Sequence, residues 1–142
     1  MVYIIYDSIR GKYVKYEEES DVRTYFARYN SEVEIDIIED DEWIVQHQKE
    51  MGIYCAHINL TGTIYLAKVD EIGGYQDTFS IYICKSKNHA INVLMDCINN
   101  DFDHSCDDYD DYKESFRNEL INREKCVPNN CYNEVGYYII DL

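Results

Sequence analysis

Proline is almost missing from this chain: Pro128 is the only one in 142 residues. With so few breakers and several ordered-looking apolar patterns, the sequence does not read as disordered despite its charge. No run of eighteen apolar residues occurs, which excludes a membrane-crossing helix. Met1–Asp7 shows neither a basic opening nor a small-residue cleavage site, so no secretory signal is expected and the cytoplasm is the expected compartment. Bases are scarce as well. Thirteen Lys and Arg stand against 28 Asp and Glu and form no basic stripe, which argues against direct contact with nucleic acid or an anionic membrane.

Catalytic signatures are missing too. There is no Gly-x-Gly-x-x-Gly, no Walker loop, no Gly-x-Ser-x-Gly elbow and no His-Glu-x-x-His. Gly73-Gly74 is too isolated to cradle a phosphate. Cys55 and His57 fall on one face of a predicted strand, but no orienting third group or oxyanion donor accompanies them. Paired carboxylates abound, yet a solvated surface lacks the burial that would raise one of them for acid–base work. The expectation is a non-enzyme without a cofactor.

What the chain does have is acid, unevenly spread. Its net charge is −15. Residues 1–50 hold 13 acids and 6 bases, residues 51–100 hold 4 and 3, and residues 101–142 hold 11 and 4. A nearly neutral centre is flanked by two acidic thirds. The densest stretch is 101–114, where seven of fourteen residues are acidic: Asp101, Asp103, Asp107, Asp108, Asp110, Asp111 and Glu114. Were it largely helical, it would span about 21 Å with one negative charge every ~3 Å, close to the ~3.4 Å charge spacing along one DNA strand.

Asp107 or Asp108 can be explained as an N-cap, and acids in a first turn suit the helix dipole. The remaining acids crowd one another at three- and four-residue spacings, at a summed cost of roughly 1–3 kcal/mol at low salt. A calcium loop beginning at Asp101 fails because Cys106 and Tyr112 replace its required Gly and Glu. A second run, Glu39-Asp40-Asp41-Glu42, can likewise cap a following helix. If both runs share one face they form a single electronegative surface, which would attract basic proteins.

Six cysteines without a secretory signal read as reduced core thiols. Cys126 and Cys131, with Cys97, His104 and Cys106 upstream, offer a zinc alternative, but no paired Cys-x-x-Cys supports it. Fifteen Tyr against four Phe suit a sheet with one wetted face, or a partner surface.

Along the chain, Val2–Asp7 and Lys12–Glu17 predict a hairpin. Ser20 is placed to cap a helix with Val22, Tyr25, Phe26 and Tyr29 on its apolar face, closed by Asn30. Val33, Ile35 and Ile37 predict a half-buried strand. Residues 43–52 read as a short helix ending at Gly52, although a strand fits too. Ile53–Leu60 and Thr63–Val69 predict a hairpin about Thr61-Gly62, and Thr78–Cys84 extends it into a three-stranded meander after a turn at Gly73-Gly74. Ser86 or Asn88 begins a helix whose broad stripe (Ala90, Ile91, Leu94, Ile98) must pack on the sheet. A further helix carries Tyr109, Tyr112, Phe116 and Leu120 along one side. After a loop at Cys126–Asn133, Glu134–Leu142 is apolar on both faces and predicts a central strand.

The chain therefore predicts one α+β domain over residues 1–142, an antiparallel or mixed sheet with three to four helices on it. The expected partner is a basic nucleic-acid-binding protein or nuclease complex, met by the two acid runs. In size, acidity and lack of a catalytic signature the chain resembles, as a class, phage-encoded anti-restriction and anti-CRISPR inhibitors, which implies an inhibitor that presents carboxylates where phosphates would sit. No motif carries individual residues over. An immunity protein against a basic nuclease toxin is the alternative built on the same physics.

Overall fold

The computed structural model describes residues 1–39, 42–46, 51–72, 78–101, 109–128 and 134–142. Their architecture is mixed α+β. In chain order the elements are β1 (Val2–Asp7), β2 (Lys12–Tyr16), α1 (Glu19–Arg28), β3 (Ile35–Ile38), β4 (Glu42–Gln46), β5 (Ile53–Ile58), β6 (Tyr65–Ile72), β7 (Thr78–Cys84), α2 (Lys87–Asp101), α3 (Tyr109–Arg123), β8 (Lys125–Cys126) and β9 (Glu134–Asp141).

The strands form two sheets where the sequence suggested one. The first is mixed, in the order β2-β1-β5-β3, with β3 parallel to β5 and the other pairs antiparallel. The second is antiparallel throughout, in the order β4-β7-β6-β9-β8. Alternation along each strand divides the apolar residues among three layers. Ile5 and Cys55 pack under α1 with Val22, Tyr25 and Phe26. Ile4, Ala56, Leu66, Ile81 and Ile83 fill the space between the sheets. Ala67, Leu94, Ile98, Leu120, Tyr137 and Ile139 join the second sheet to α2 and α3. The molecule is thus a helix, two sheets and a helical pair, stacked in that order.

Several sequence expectations need correction. Glu42–Gln46 is a strand, since Trp43, Ile44 and Val45 favour a pleated surface, and a bulge between Glu42 and Ile44 accompanies a Trp43 that is buried between the sheets. The expected hairpin about Thr61-Gly62 does not form. β5 pairs with β1 and β3, whereas β6 pairs with β7 and β9, so the link crosses from one sheet to the other. Gly62, at φ +86°, takes the left-handed bend of that crossing. Ile64 and Leu142 exchange backbone hydrogen bonds beside it. Local alternation marks a strand but does not choose its neighbour, which is why the meander reduces to β6 and β7.

Ser20 is not the helix cap. α1 starts one residue earlier, and the Ser20 carbonyl accepts a hydrogen bond from Thr24 Oγ1 at 2.9 Å. Asn30 does end the helix, at φ +52°. Ile37 is 78% exposed instead of half-buried, because β3 is an edge strand. The opening hairpin, the Ser86 cap (its Oγ accepts from His89 N–H at 3.1 Å) and the interior position of β9 all follow the sequence reading. The Gly73-Gly74 turn lies outside the described residues. No helix among the described residues is long and apolar enough to cross a membrane.

Candidate acidic interface

The acid-rich stretch does not form one rod. α2 ends at Asp101 and α3 begins at Tyr109, while Asp103, Asp107 and Asp108 lie outside the described residues. Lys87, at the start of α2, donates to the Ile121 carbonyl at 2.9 Å and reaches Glu124 Oε1 at 3.5 Å, beyond the end of α3. The two helices are therefore antiparallel. Asp101, Asp110 and Asp111 consequently stand at the same end of the pair.

Helix electrostatics separates these acids. Asp110 and Asp111 occupy the first turn of α3, where the dipole favours them. Asp101 is the last residue of α2, where the dipole disfavours an acid, and the final turn of α2 carries no base. Glu114 follows Asp110 by four residues on α3, is exposed, and has no ion-pair partner among the described residues. With Ser115, Asn118, Glu119, Asn122 and Arg123 it lines a shallow groove of about 500 Å³ along the outer side of α3. Arg117 is turned toward α2, where it donates to Asn92 Oδ1 at 2.9 Å.

The second run stands elsewhere. Glu39 is exposed beyond the end of β3, Glu42 opens β4, and Asp40 and Asp41 lie outside the described residues. β4 is one edge of the second sheet, whereas α3 packs over β8 and β9 toward the other. Glu39 shares with Lys85 the mouth of a cleft of about 340 Å³ between the sheets, floored by Ile38, Ile58, Leu60 and Ile83.

A third acidic group was not singled out from the sequence. Glu17, Glu18, Glu19, Asp21, Glu32, Glu34 and Asp36 are all exposed around α1 and β3. Glu19 and Asp36 both act on the Cys55 thiol, whose pKa is pushed up to about 12, first by burial and then by these two charges. The available signal was the count of 13 acids in the first fifty residues, of which the run at 39–42 holds only four.

One carboxylate is structural. Asp7, fully buried, accepts from the N–H groups of Ile9 and Arg10 on Oδ1 (both 3.1 Å). On Oδ2 it accepts from Arg10 Nη1 at 2.9 Å and from the Tyr25 hydroxyl at 2.7 Å. Burial alone would raise its pKa, but the bonds from Tyr25 and Arg10 outweigh that and hold it below its ordinary value of 3.8. Between the sheets, Lys68 Nζ donates to the Tyr6 hydroxyl at 3.0 Å, and Tyr6 stacks on Tyr13 with centroids 4.9 Å apart. Burial opposes the Lys68 charge, yet the two phenols hold its pKa above the usual lysine value.

No protein-family model, curated protein or solved structure matches this chain.

The Cys55 thiol is neutral at pH 7 and His57 stacks on Tyr3 at 4.3 Å, so the pair is not an activated nucleophile. Cys126 is buried and donates to Glu119 Oε2 at 3.2 Å, which together push its pKa up. Among the described residues no group of three or more His, Cys, Asp or Glu is placed to hold a metal ion. Of the zinc alternative, His104, Cys106 and Cys131 lie outside them.

Proposed function

We propose that this acidic protein binds and inhibits a nucleic-acid-binding enzyme or complex, offering carboxylates where the partner's Lys and Arg residues would otherwise hold phosphates. The observation that supports this reading is the end of the helical pair. There Asp101 stands against the α2 dipole, Asp110 and Glu114 stand four apart, and Glu114 is exposed without an ion partner among the described residues. The place of Asp101 at the end of α2 and the four-residue spacing of Asp110 and Glu114 do not favour the fold, so a use outside it accounts for them. The net charge of −15 adds long-range attraction for a basic partner and repulsion for nucleic acid.

Affinity capture from a prokaryotic lysate at two ionic strengths supplies the partner, and its nuclease or nucleic-acid-binding activity then supplies the assay. Capture should be strong at low salt and steeply weaker at high salt. Changing Asp107, Asp108, Asp110 and Asp111 together to Asn should abolish inhibition while leaving the fold at least as stable. Undiminished inhibition by that quadruple variant would remove the helical corner from the interface.

A further inference from the structure

The first sheet ends at β3. β3 pairs with β5 on one side, and among the described residues no strand pairs with it on the other. A free edge presents unsatisfied backbone N–H and C=O groups, a template for another strand. The register makes the adjoining surface a row across the sheet: Tyr16 lies opposite Tyr3, Tyr3 opposite His57, and His57 opposite Ile37. Tyr16 and Tyr3 pack against the cluster under α1. His57 and Ile37 stand outside that cluster, Tyr3 stacks on His57, and the row ends at the edge in Ile37, 78% exposed.

We propose that this edge and its row accept an extended, lysine- or arginine-bearing segment of another protein as a fifth strand. Backbone pairing along β3 would supply affinity, and Ile37 with the His57–Tyr3 stack would take an apolar side chain on the outer face. Charge selects the occupant. Glu34, Asp36 and Glu39 are exposed on β3 and its flanks. A second copy of this chain would bring the same carboxylates against themselves, which strand pairing disfavours, whereas alternating cations would meet them. The site is separate from the helical corner, so either can fail alone.

The test uses the full chain and a capped peptide of about six residues alternating lysine with valine, together with its alternately N-methylated form, which keeps charge and side chains but loses backbone donors. The parent peptide should bind and slow hydrogen exchange at the β3 amides that point away from β5. The N-methylated peptide should not bind, and Ile37→Ser should weaken binding roughly tenfold. Binding should persist in the variant Asp110→Asn/Asp111→Asn/Glu114→Gln, which tests the other surface. Equal binding of both peptides, or binding that leaves β3 exchange unchanged, overturns the proposal. So does a dimer in sedimentation that Ile37→Ser dissolves, since the occupant would then be a second copy.

Discussion

Asp7 and Glu114 carry the same functional group and use it in opposite ways. Asp7, at the end of β1, is fully buried and gathers two backbone and two side-chain donors. Glu114, on α3, is exposed and has no ion partner among the described residues. The comparison separates acid that builds the fold from acid that the fold merely carries. At Asp7, desolvation is offset by hydrogen bonds to the charged form, and the Arg10 guanidinium, 3.3 Å above the Tyr29 ring, ties the hairpin turn to α1. At the helical corner Asp110 and Glu114 stand four apart on α3, a like-charge spacing from which the fold gains nothing.

The largest effect is expected at the buried end of this contrast. Asp7→Ala should lower stability by about 3–5 kcal/mol in urea unfolding, because it leaves the Tyr25 hydroxyl and the Arg10 charge without their acceptor. Tyr25→Phe removes one donor to the same carboxylate and should lose about 1.5–3 kcal/mol by the same measurement. The pH profile sharpens the point. Asp7 has a folded pKa below 3.8, so its contribution is fully present above that value. It is lost as the pH falls through 3.8 toward the lower folded value, and Asp7→Asn should flatten the acid limb of a stability–pH curve.

At the exposed end the sign should reverse. Asp110→Asn/Asp111→Asn/Glu114→Gln should leave stability unchanged or raise it by up to about 1 kcal/mol, a gain that added salt diminishes. Loss of several kcal/mol in that variant would erase the distinction between the two regions. Smallest of all, Ile37→Ser should alter stability by less than about 0.5 kcal/mol, since its side chain is already in water.

Much of the fold was legible where local pattern and burial coincide. The stripe Ala90, Leu94 and Ile98 packs α2 on the second sheet, and the two apolar faces of β9 serve two layers, Val135 and Ile139 toward the helices and Ile140 toward the first sheet. Of residues 43–52, expected as a helix with a strand as the alternative, 43–46 form a strand, because a short apolar run does not by itself distinguish the two. β5 and β6 were misjoined because an alternating strand fits either sheet. Of the candidate site, the sequence located the acids of α3 but left their grouping open. It passed over those of α1 and β3, which are separated along the chain and form no dense run.

Composition and order of residues by themselves determined the charge, its concentration toward the two ends, the absence of a catalytic motif and the position of most helices and strands. These follow from residue type and short-range periodicity. The division into two sheets, the burial of Asp7 among its donors and the place of β3 at the end of the first sheet were decided only by tertiary structure. Strand pairing is a contest among partners far apart in sequence, settled by which arrangement buries the most apolar surface while satisfying the backbone.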